Sequence, residues 1–133
     1  MKLFSTAINL SLVHIWLLIF RVGVAGFMLT HGYPKLIKVL NGDMQFGDPF
    51  GVGAEISLIL AAFAEAICSF LIIIGLGTRL ATIPVIITMA TAAFIVHAND
   101  PLSRQELPII YLLAFITILI TGPGKYSVDQ KIK

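Results

Sequence analysis

Four stretches of about twenty apolar residues, parted by short segments rich in glycine, proline and charge, leave this chain few ways to fold. They run over 10–31, 54–76, 80–97 and 104–121. At 1.5 Å per residue, a helix of that length matches the hydrocarbon thickness of a bilayer. Inside a bilayer every main-chain N–H and C=O must bond within the chain, so such stretches are helical. The expected fold class is all-α: a membrane four-helix bundle, with a short interfacial helix and loop between helices 1 and 2. The spans nearly exhaust the 133 residues, so residues 1–133 are read as a single integral membrane domain.

Composition agrees. Hydrophobic residues make up 58% of the chain and charged residues 12%, where soluble domains carry about a quarter charged. A net charge of +2 without a lysine–arginine cluster argues against nucleic acid as a partner. The lone cysteine, Cys68, can form neither an internal disulfide nor a multi-thiolate metal site, and is read as a packing residue. Val24-Ala25-Gly26 loosely resembles a signal-peptide cleavage site. Apolarity nevertheless continues to Leu29, and Arg21 interrupts the stretch, so it is read as a span.

The connections carry their own signals. Pro34–Leu40 places Lys35 and Lys38 on one face, the pattern of a short helix lying in the membrane interface. Asn41-Gly42-Asp43 marks a turn, and Phe46 and Phe50 point to a loop that dips back onto the bundle. Gly75-Leu-Gly77-Thr-Arg79 forces a tight turn, Pro84 should bend the third span, and Gly122-Pro123-Gly124 stops the fourth. Ser103-Arg-Gln-Glu106 reads as a capping box. Four spans put both ends on one side with Lys2, Arg79, Lys125, Lys131 and Lys133. The other side holds Lys35, Lys38 and Arg104, so cytoplasmic termini are expected.

Two charges fall near the centres of the apolar stretches, Arg21 in the first and Glu65 in the second. Each costs about 2.5–3.5 kcal/mol at the centre of a membrane helix, so each should face the interior and find a partner. Both lie centrally in adjacent antiparallel spans, and a direct or water-bridged Arg21–Glu65 ion pair is expected. His14, Arg21 and Met28 recur every seven residues, as do Ala54, Ala61, Cys68 and Gly75, which form a small-residue seam. The pair reads either as a structural clamp or as the lining of a ligand or proton site. His31, Glu55, His97, Arg104 and Glu106 fall at span ends opposite the termini, as interfacial groups or as a vestibule. No metal site is expected, since no i, i+3 or i, i+4 ligand pair is present.

The ordered set of features resembles the DoxX family of small four-helix membrane proteins, over nearly the whole chain. The resemblance rests on Arg21, His31-Gly32-x-x-Lys35, Phe46-Gly47, Glu65, and Gly75-Leu-Gly77-Thr-Arg79. It continues through His97, Glu106 and Gly122-Pro123-Gly124-x-x-Ser127-x-Asp129. The family is similar to the quinone-linked DoxD subunit of archaeal thiosulfate oxidation, and other members are associated with oxidative-stress complexes or resistance to quinones and catechols. The resemblance therefore implies a multi-pass inner-membrane protein with a polar pocket drawn from Arg21, His31, Lys35, Glu55, Glu65, His97 and Glu106. It implies no intrinsic cofactor, a bound quinone as the possible ligand, and lipid, a redox protein or a second copy as partners. The competing readings are a non-catalytic scaffold that recruits a partner, and a small-solute or proton conduit.

Overall fold

The computed structural model describes residues 2–133. Helix α1 spans Leu10–Leu40, α2 Ala54–Ile74, α3 Thr78–Val96, α4 Leu102–Thr121, and a short α5 Val128–Ile132. The first four are long and apolar enough to cross a membrane. Described residues form no strand. Their outer faces expose Trp16, Phe27, Leu60, Phe70, Phe94 and Leu113, each about half exposed or more. In water such a surface would aggregate; in a bilayer it is the lipid contact.

Helix α2 is the centre of the bundle. More than half of it is buried, against about a quarter of each of the other three. Apart from Leu58, Glu65 and Ile72, its buried side chains are small: Ser57, Ala61, Ala62, Ala64, Ala66, Cys68 and Ser69. Lipid offers apolar side chains as good a home as protein does, so close backbone approach is what holds membrane helices together. The seven-residue seam lies in this face, with Ala61, Cys68 and Gly75 buried and Ala54 half-buried. Larger side chains close the core farther out, among them Met28, Ile72, Val85, Phe115 and Ile118.

The segment Pro34–Leu40 is helical, and it continues α1 without a break. Proline removes one ladder hydrogen bond but has not ended the helix, which closes at Asn41 with bonds to Ile37 and Val39. Lys38 Nζ donates to Gln45 O at 2.6 Å and pins the following loop. Asp48 then accepts from the Val52 and Gly53 amides and the Ser57 hydroxyl, fixing the start of α2. The loop aromatics lie on the surface, with Phe46 38% and Phe50 58% exposed.

Two helices contain a π turn, α2 over Phe63–Cys68 and α3 over Ala92–Val96. Such turns insert an extra residue and recur at functional positions. The first contains Glu65. At the start of α4 the expected capping box is not made: Pro101 is the cap residue and no side chain caps the helix. Pro101, with φ −63°, presets the entry of the helix in place of the Ser103–Glu106 exchange, and Pro108 lies within the helix.

Candidate functional site

The Arg21–Glu65 pair expected from the sequence is absent. The two side chains lie in separate polar centres, because α1 and α2 are in a different register. A Cβ added to Gly32 would lie 2.2 Å from the Glu65 carbonyl carbon, so Gly32 is the α1 residue at the depth of Glu65. Arg21 sits eleven residues earlier, about 16 Å along the helix. It lies instead at the level of the α2 C-terminus, where its Nη2 reaches Ile73 O at 3.3 Å. Helix α1 runs on to Leu40, nine residues past His31, so its midpoint lies closer to Gly32 than a span of 10–31 implies.

The centre at mid-bundle is built on Glu65. This carboxylate is 2% exposed, and both of its oxygens accept from Lys35 Nζ, at 2.7 and 2.5 Å. A helical side chain leans toward the N-terminus of its helix, so Lys35 reaches back over the glycine at position 32. Only a glycine there lets the backbones come this close. The lysine side chain stays 27% exposed and lies 5.9 Å from the centroid of Phe46. His31, next to Gly32, meets Tyr111 of α4 edge to face at 5.7 Å, and Tyr111 stacks on Phe115. Chemically this is an acid, an ammonium donor, an imidazole and a phenol, on two helices around the π turn of a third.

Other expected members lie elsewhere. His97 Nδ1 is 2.7 Å from Asp100 Oδ2 and Gln105 Nε2 donates to His97 O, which closes the α3–α4 turn. Glu55, Arg104 and Glu106 are exposed, and none of their side chains makes a hydrogen bond or ion pair within the described residues. From the sequence, Tyr111 reads as a core or bundle-lining residue whose hydroxyl could join a polar network; its contact with His31 comes from tertiary packing.

The second centre closes the end of the bundle that carries the termini. Arg21, 2% exposed, donates to Pro123 O at 2.6 Å, Tyr126 O at 3.0 Å and Ile73 O. Carbonyls at a helix end carry the negative end of its dipole, so they are natural partners for a buried cation. The Lys125 amide donates to His14 Nδ1. Gly75 has φ 76°, and a Cβ there would lie 2.5 Å from Ser127 Cβ. Asp129 accepts from the Gly77 and Thr78 amides at 2.7 and 2.9 Å, capping α3 from α5, while its own amide bonds Gly75 O. The Gly75–Arg79 turn and the Gly122–Asp129 tail are thus one unit, locked around Arg21.

Partial burial alone would raise the pKa of Asp129. The hydrogen bonds from the Thr78 and Gly77 amides, with the charge of Arg21 nearby, outweigh it and hold the carboxyl below its usual range. A depressed folded-state pKa contributes stability that is full above the unfolded value of about 3.9 and is lost as pH falls through the folded one. In detergent, wild type should therefore melt higher than Asp129→Asn above about pH 5, and that advantage should shrink below about pH 4. A difference that stays constant down to pH 3 would show the carboxylate's charge to be irrelevant.

The DoxX family model matches residues 16–98, which hold Arg21, Gly32, Lys35 and Glu65. The chain belongs to the DoxX family. Among its relatives, an uncharacterized protein of Haemophilus influenzae is 30% identical over 84% of this chain and 86% of its own length. The "Inner membrane protein YphA" of Escherichia coli K12 is 29% identical over 86% of this chain and 89% of its own length. No solved structure shows a significant match. In this DoxX chain the family match takes in Arg21, His31, Lys35 and Glu65, while Tyr111 of the first centre and the tail of the Arg21 clasp lie beyond it.

Proposed function

We propose that this DoxX protein is a multi-pass inner-membrane subunit that binds a quinone or similar carbonyl-bearing ring at Glu65–Lys35 and serves a membrane redox complex. The observation that supports this most is the paired charge. Glu65 is almost fully buried at mid-bundle, yet the Lys35 side chain that neutralises it keeps a quarter of its surface exposed. A purely structural clamp gains from burying both partners. A site gains from leaving the donor reachable from the membrane.

The donor set suits such a ligand. Its ring wants apolar neighbours and its carbonyl oxygens want proton donors. Lys35 and the Tyr111 hydroxyl can donate, His31 can donate or accept, and Glu65 can hold a proton or return one to Lys35. Phe46 supplies exposed aromatic surface beside Lys35. When bound, the quinone would supply the electron chemistry; the chain itself binds, orients and manages protons. The inner-membrane assignment leans on the Escherichia coli relative. Cytoplasmic termini follow from the positive-inside bias, which steepens now that Lys35 is spent inside the bundle.

A scaffold reading is favoured by one observation: every hydrogen bond of Arg21 goes to a main-chain carbonyl, so one of the two intramembrane charges serves architecture. Mass spectrometry of quinones and lipids retained by the gently purified protein separates the readings. Stoichiometric quinone in wild type, lost in a folded Lys35→Met variant, is the expected result. Only bulk phospholipid in both would leave the scaffold.

A further inference from the structure

Two surface grooves lie away from Glu65 and meet at the end of the bundle that carries the termini. The first, about 470 Å³, is rimmed by His14, Arg79, Lys125 and Lys133, with Asp129 the one acid among its described lining residues. Asp129 is already engaged by the Gly77 and Thr78 amides. His14 Nδ1 accepts the Lys125 amide, which leaves the ring proton on Nε2 as a donor. Arg79 spends one N–H on Ile120 O at 3.4 Å and keeps the rest. Four cations or donors therefore converge where the helices leave the membrane.

The second groove, about 490 Å³, shares Gly77, Leu80 and Asp129 with the first. Below that junction it is walled by Phe63, Leu71, Leu76, Ala81 and Pro84, between α2 and α3. From Leu76 at the interface to Phe63 near the middle of α2 is about 16–20 Å at helical rise. One leaflet of hydrocarbon is about 15 Å deep. A basic head and an apolar trough of leaflet depth are joined end to end.

We propose that the joined grooves seat one anionic phospholipid, its phosphate among Arg79, Lys125, Lys133 and His14 and an acyl chain lying along α2 and α3. Basic pockets between membrane helices take anionic headgroups in this way. A zwitterionic lipid brings a second cation into the basic rim and is disfavoured. Free phosphate fills the head and leaves the trough empty. The seat borders the Gly75–Arg79 turn and the tail, so an occupied groove braces the Arg21 clasp from outside.

The test is native mass spectrometry of the full chain in detergent, titrated with phosphatidylglycerol or phosphatidylcholine of matched acyl chains. Phosphatidylglycerol should bind about tenfold tighter. Lys125→Gln/Lys133→Gln should abolish that preference, weakening phosphatidylglycerol about tenfold more than phosphatidylcholine; both lysines are exposed, so the fold should survive. Leu80→Trp, at a residue 74% exposed, should fill the trough and weaken both lipids. Equal binding of the two lipids, a preference retained in the double variant, or indifference to Leu80→Trp would each overturn the proposal. Displacement of phosphatidylglycerol by millimolar inorganic phosphate would also overturn it, in favour of a simple anion site.

Discussion

Gly32→Ala is expected to cost the bundle about 3 kcal/mol or more, at or beyond the upper end for overpacking. The new Cβ would meet the Glu65 carbonyl carbon at 2.2 Å, its oxygen at 2.3 Å and the Ala66 nitrogen at 2.5 Å. All three are backbone atoms, so no side chain can swing aside; α1 and α2 must part. Parting them also draws Lys35 away from Glu65, and the acid is left buried without its cation. Gly23 and Gly26, on the same helix, have nothing within 4 Å of an added Cβ. Alanine at either should be neutral or stabilising by about 0.4–1 kcal/mol. Reversible unfolding in mixed micelles measures all three variants. A gain at 32 like that at 23 and 26 would mean that helix propensity, and not contact with α2, sets the effect.

The second large effect is expected at Arg21. Leucine there removes the cation that gathers Ile73 O, Pro123 O and Tyr126 O, and leaves buried carbonyls unpaired. At about 1–3 kcal/mol for each unsatisfied group, the loss should be about 3–5 kcal/mol. It should be local in character. The tail from Gly122 onward should become open to protease and to amide exchange, since Asp129 and Ser127 hold their places through the same unit. Lysine at 21 should recover only part of the loss, because a point charge cannot fork to three carbonyls as a guanidinium does. A tail as protected in Arg21→Leu as in wild type would contradict the clasp.

Much of this architecture is legible in the residues. Apolar runs and their breakers place four helices, and Gly75, Gly77 and Gly122 do end or begin helices with positive φ. The heptad of His14, Arg21 and Met28 does face inward, with the last two buried. Its next member is Lys35. Reading Pro34–Leu40 as a separate interfacial helix takes Lys35 out of the heptad, whereas the structure continues α1 through Pro34 to Leu40. The span end accounts for only part of the missed Arg21–Glu65 pairing, since the midpoint of Leu10–Leu40 still lies seven residues before Gly32. Depth in a bundle depends on register between helices, and Gly32 against the Glu65 peptide sets the register through contact, not pattern. The tail's role was equally hidden. Ser127 and Asp129 stand out as spaced residues, but that Asp129 caps α3 from fifty residues away is a product of tertiary folding. The π turns leave no mark in apolar periodicity at all.

The pairing of Glu65 with Lys35, and not with Arg21, is the point on which the site rests. Two double-mutant cycles in micelles test it together, Glu65→Gln combined with Lys35→Met and Glu65→Gln combined with Arg21→Met. The expected result is a coupling of about 1–3 kcal/mol in the first cycle and additivity within about 0.5 kcal/mol in the second. Additivity with Lys35 and strong coupling with Arg21 would contradict the register of α1 on α2, and with it the site.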